Sequence, residues 1–91
     1  MPRTWRAVGQ DQLLWKVLGD NCAVFCRATG ETHLLNELPA EVLRELETSA
    51  CPVNELADIL AERCGVQSSD DWNRKIADIV QSLNALELLF E

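Results

Sequence analysis

The residues that could carry chemistry in this chain are few. They are four cysteines (Cys22, Cys26, Cys51, Cys64), one histidine (His33) and fifteen carboxylates against eight Lys and Arg. A tetrahedral zinc site needs sulfurs within about 4 Å of one another. If 22–26 is extended, a rise of ~3.3 Å per residue puts Cys22 and Cys26 about 13 Å apart at Cα, too far to share an ion. Cys22, Val24 and Cys26 are then expected to line one sheet face, and Cys64 to end the apolar stripe of a helix. His33 has no serine or cysteine beside it that a base would activate and reads as a plain strand histidine. There is no Gly-rich phosphate loop, HExxH or GxSxG, and no pair of carboxylates sits in an apolar run. The expectation is therefore a binding module without catalytic residues, metal or cofactor.

The elements that would position these residues belong to one domain, because 91 residues leave no room for a second core. A 47% hydrophobic and 25% charged composition is that of an ordinary globular chain, and no uncharged apolar run reaches membrane-span length. The formal charge of −7 opposes binding to phosphate backbones, so nucleic acid is not an expected partner. No export signal is visible, and the cysteines are expected as thiols of a cytoplasmic protein.

Residues 1–10, with Trp5 and Val8 as apolar anchors, read as an N-terminal tail or an extra short strand ahead of a domain over 11–91. Leu13 to Leu18 and Cys22 to Ala28 are rich in β-formers around Gly19-Asp20-Asn21, and Gly30 leads into Thr32 to Leu35. These predict a three-stranded meander. The period then becomes 3.6. Leu38, Val42, Leu43 and Leu46 share one face of a helix over Glu37 to Glu47, with Asn36 as N-cap and Pro39 in its first turn. A second helix carries Val53, Leu56, Ala57, Ile59, Leu60 and Cys64 and is closed by Gly65. Ser68-Ser69-Asp70-Asp71 opens a third, with Trp72, Ile76, Ile79, Val80, Leu83 and Leu86 on one face. The apolar end, Leu88-Leu89-Phe90, is expected to fold back onto the core or form a short extended piece.

The fold class that follows is α+β, a small winged-helix-like domain in which a three-stranded antiparallel β-meander precedes three α-helices. DNA reading by the third helix is not supported, since Asp70, Asp71, Asp78 and Glu87 outnumber Arg74 and Lys75. Glu37, Glu41 and Glu45 stack like charges at i, i+4 and read as a solvated outer face. A basic partner there would make the chain an acidic winged-helix-like protein–protein adaptor or transcription-associated module, the alternative reading. The last strand of a simple meander has one unpaired edge, and another chain can pair with such an edge. Shielding by the N-terminal segment or by a second copy is the competing possibility.

The run Val24-Phe25-Cys26-Arg27-Ala28-Thr29-Gly30-Glu31-Thr32-His33-Leu34-Leu35-Asn36, followed by Val42-Leu43 and Glu55-Leu56-Ala57, resembles the PqqD-like peptide chaperones. The Gly-Glu-Thr-His-Leu-Leu-Asn core and the early Trp5 are similar to the HPr-rel-A branch, associated with a kinase related to the HPr kinase. The resemblance spans Trp5 to Phe90. It implies a recognition element that binds the leader of a ribosomally made precursor peptide as an added strand and presents it to a modifying enzyme, with an HPr-kinase-related protein as a candidate. It also implies contacts from Thr32, His33, Leu34 and Leu35 on the third meander strand and from Trp72, Lys75, Ile76 and Ile79 on the last helix. The Asp-Gly that often follows the first helix in quinone-cofactor relatives is replaced by Glu47-Thr48-Ser49-Ala50, a departure from the pyrroloquinoline quinone branch.

Overall fold

The computed structural model describes residues 4–90. The meander is present as β2 (Leu13–Leu18), β3 (Asn21–Cys26) and β4 (Glu31–Leu35), all antiparallel and in the order β2-β3-β4. Three helices follow, α1 (Glu37–Thr48), α2 (Val53–Cys64) and α3 (Asp70–Ala85). The expected α+β, winged-helix-like class is the one observed.

A two-residue loop, Gly19-Asp20, closes the first hairpin, so Asn21 belongs to β3 rather than to the turn. Gly19 has φ 63°, the positive value that a type II′ turn requires at its first central position. The loop also fixes the hydrogen-bonding parity of the sheet. Leu18 and Asn21 flank a two-residue turn and exchange both backbone bonds, and bonded and non-bonded pairs then alternate along the strands. The 2.7 Å bond from the Arg27 N–H to the Gln12 carbonyl at the far end falls on the same alternation. Asn21, Ala23 and Phe25 therefore bond to β2, while Cys22, Val24 and Cys26 bond to Leu35, His33 and Glu31 of β4.

Side chains alternate between the faces of this sheet. The inner face carries Leu13, Trp15, Val24, Cys26 and Leu35, and all but Trp15 are at most 5% exposed, against Val42, Leu43 and Leu46 of α1. Cys22 lies on the same face as Val24 and Cys26, as their spacing predicts. Trp15 joins sheet to helix. Its Nε1–H donates to Glu47 Oε1 at 2.9 Å, and the Arg44 guanidinium lies 4.6 Å from its ring centroid. Burial raises the Glu47 carboxyl pKa, opposed by this hydrogen bond and by Arg44.

The N-terminal segment is a strand, β1 (Thr4–Ala7), whose Trp5 and Ala7 are buried. It pairs antiparallel with two short strands that periodicity does not reveal, β5 (Cys51–Pro52) and β6 (Leu89–Phe90), giving a second sheet in the order β5-β1-β6. The apolar chain end folds back, with Leu88 and Leu89 buried and Arg6 stacked 5.1 Å from the Phe90 ring centroid. Glu87 adopts φ 64° to turn the chain into β6.

The helix ends follow the expected chemistry with one exception. Gly65 closes α2 at φ 71°, and the Ser69 hydroxyl accepts from the Trp72 N–H at the start of α3. Asn36 is the N-cap of α1 but its side chain makes no capping bond. An N-cap oxygen accepts from the second or third helical N–H, and here the third residue is Pro39, which has none. The core is centred on Leu43, Leu56, Leu60, Ile76 and Leu83, each at most 1% exposed. Leu43→Ala should cost about 2–5 kcal/mol, read as a lower urea midpoint at unchanged m-value.

Candidate functional site

Parity determines which backbone groups of β4 are satisfied. Glu31, His33 and Leu35 direct their amides and carbonyls to β3, so those of Thr32 and Leu34 point away from the sheet. No described residue bonds to that side of β4. The N-terminal strand, which could have shielded it, is held between β5 and β6 instead. The outer edge of β4 thus presents two donors and two acceptors in a row.

Its flanks differ. Thr32 and Leu34 lie on the outer face of the sheet, where Leu34 is 70% exposed. His33 and Leu35 lie on the inner face. The His33 side chain is 12% exposed, its Nε2 is 3.7 Å from Glu31 Oε2, and that nitrogen makes no hydrogen bond.

Where β4 ends, a cleft of about 600 Å³ opens between the first turn of α1 and α3. Asn36, Glu37, Leu38 and Pro39 form one wall, and Asp71, Arg74, Lys75, Asp78 and Ile79 form the other. Among the described residues neither Arg74 nor Lys75 is ion-paired. The cleft therefore combines an apolar floor with both charge signs on its rim.

Of the helix residues implied by the family resemblance, Lys75 and Ile79 line this cleft. Ile76, one turn before Ile79 on the core side of the helix, is fully buried and does not line the cleft. Trp72 is turned toward α2, where its Nε1–H donates to the Ala57 carbonyl at 2.8 Å. Its ring borders a smaller crevice with Glu37, Leu38, Glu41 and Cys64. Asp71, Arg74 and Asp78, which the family resemblance does not mark as contacts, also line the main cleft. Their i, i+3 and i+4 spacing with Lys75 and Ile79 was the available signal.

The acidic face of α1 is occupied in part. Arg63 of α2 donates to Glu41 Oε2 at 3.2 Å and to Glu45 Oε2 at 2.7 Å, which raises the guanidinium pKa further. Cys26 and Cys51 are buried, Cys22 is half-buried and Cys64 is exposed. Burial and the nearby Glu45 and Glu55 carboxylates push the Cys51 thiol pKa up, away from a reactive thiolate. No cluster of three potential metal ligands occurs among the described residues. Among the described residues no helix is long and apolar enough to cross a membrane.

No protein-family model and no curated relative matches the chain. Among solved structures, the chain is similar to TbiB1 in complex with the TbiA(beta) leader peptide. The TM-score is 0.67 at 20% identity, over 92% of this chain and 93% of that one. At that identity the likeness establishes a shared fold across almost the whole of both chains.

The placement of Trp72 yields a stability expectation. Trp72→Phe keeps the ring but removes the bond to Ala57, and should lower unfolding stability by about 0.5–1.5 kcal/mol in urea titration.

Proposed function

We propose that this protein is a non-catalytic peptide chaperone that takes the leader of a precursor peptide as a fourth strand on the outer edge of β4 and presents it to a modifying enzyme. The observation that carries this reading is the unpaired edge at Thr32 and Leu34, which runs directly into the cleft between α1 and α3. A peptide laid there gains main-chain bonds to both residues, which suits many sequences, and alternate side chains supply selectivity. Those opposite His33 and Leu35 turn inward, and the chain beyond them enters the cleft beside Lys75 and Ile79. Thr32, His33, Leu34, Leu35, Lys75 and Ile79 are the proposed contacts, with Ile76 and Trp72 holding α3 in place beneath them.

The fold shared with TbiB1, a protein solved with a leader peptide bound, supports the same class of ligand. The partner enzyme, with an HPr-kinase-related protein as candidate, rests on the sequence resemblance alone. The alternative, an adaptor using the acidic face of α1, is weakened because Arg63 already pairs with Glu41 and Glu45 and offsets one of their two charges. A peptide that orders on binding gives up conformational entropy, so a micromolar complex, about −8 kcal/mol, is expected.

Parity makes the test selective. Leu34→Pro removes an outward N–H and leaves the β3–β4 ladder intact, whereas His33→Pro removes a ladder donor. Amide-shift titration with peptides encoded beside this gene should show saturable binding to the wild type. Binding should be lost in a Leu34→Pro protein whose circular dichroism is native, and unchanged affinity there would contradict the proposal. His33→Pro should instead lose stability. Affinity should change little between low and physiological salt, in contrast to docking on the acidic helix face.

A further inference from the structure

The opposite edge of the meander is also open, and its strand carries exposed apolar side chains on both faces, Leu14 and Leu18 on the outer and Val17 on the inner, that peptide capture does not use. By the same parity, Leu14, Lys16 and Leu18 of β2 bond to β3, so the amides and carbonyls of Trp15 and Val17 point outward. No described element pairs with that edge. Three large apolar side chains on this one strand are solvent-exposed, Leu14 at 48%, Val17 at 66% and Leu18 at 45%. The surrounding charges balance, Lys16 and Arg44 against Asp20 and Glu47, although the whole chain carries −7. An unpaired strand edge with exposed apolar residues is one that soluble chains ordinarily protect.

We infer that β2 pairs antiparallel with β2 of a second copy about a two-fold axis at Trp15, forming one six-stranded sheet with a free β4 edge at each end. Self-pairing needs no other partner chemistry, because a strand edge placed antiparallel to itself matches donors to acceptors.

The side chains select the register. An axis at Lys16 would set two lysines directly opposite each other, which is unfavourable. An axis at Trp15 places each Lys16 beside Leu14 of the second copy, where its methylene stem covers an exposed leucine. The same axis sets Val17 against Leu13 of the second copy and brings the two Trp15 backbones into mutual hydrogen bonding. This seam is smaller than the roughly 800 Å² per partner of a stable interface, so the dimer is weak and depends on concentration. It leaves both peptide edges accessible, and its formation does not rest on the peptide-binding proposal.

Sedimentation equilibrium of the full chain, from about 5 µM to about 500 µM, tests this through mass action. The mass should rise from 10.2 kDa toward twice that value. Val17→Pro removes an outward N–H of β2 and should remain monomeric, while Leu34→Pro, altered at the far edge, should dimerise like the wild type. Two exposed substitutions that spare the fold read the register. Leu14→Glu faces Lys16 of the second copy and should tighten the dimer, Leu14→Lys should weaken it, and the two should differ by roughly fivefold or more. A wild type that stays monomeric throughout, a dimer lost in Leu34→Pro or retained in folded Val17→Pro, or equal dimerisation of the two Leu14 variants would overturn the inference.

Discussion

Everything distinctive about this domain depends on the hydrogen-bonding parity of a three-stranded sheet. An antiparallel strand spends its backbone groups on alternate residues toward alternate sides. Once Gly19-Asp20 fixes Leu18 and Asn21 as a bonded pair, the direction of every amide out to Leu35 is settled. The groups on Thr32 and Leu34 are left outward on one edge, and those on Trp15 and Val17 on the other.

The remaining structure keeps those edges from closing. The N-terminal strand has the composition to extend the meander, but Trp5 and Ala7 are buried and the strand is held between Cys51–Pro52 and Leu89–Phe90. The helices cover only the inner face of the meander. The Trp15 contacts with Arg44 and Glu47 tie the sheet to α1, and the Trp72 bond to Ala57 ties α3 to α2. The β4 edge and its cleft are thereby held in place in the free protein, so that in the proposed peptide capture the ordering cost would fall on the peptide itself.

Much of this was legible in the sequence for definite reasons. Most of each helix face was set by a 3.6-residue apolar period, although Ile59, Cys64 and Leu86, expected on those faces, lie at their margins and are exposed. Gly65 and Ser69 mark the end of α2 and the start of α3 where the sequence places them. Of the second sheet, the N-terminal segment and Leu88-Leu89-Phe90 were legible as possible short extended pieces, but Cys51–Pro52 and the pairing β5-β1-β6 were not, because strands of two residues carry no period and their pairing is purely tertiary. The Arg63 bridge to Glu41 and Glu45 was hidden for a similar reason, since it links residues 18 and 22 positions apart on different helices. Reading 19–21 as the turn left the parity of the meander open. A two-residue loop settles it, and with it the two β4 residues that face outward. On α3, period alone placed Ile76 and Ile79 on one face, but Ile76 is buried and Ile79 reaches the cleft.

Amide hydrogen exchange, resolved residue by residue along β4, tests the central claim most directly. In the free protein the account predicts slow exchange at His33 and Leu35 and fast exchange at Thr32 and Leu34, with the latter pair alone becoming protected when a leader peptide is added. Thr32 and Leu34 amides already protected in the free monomer, or still unprotected in a saturated complex, would contradict it.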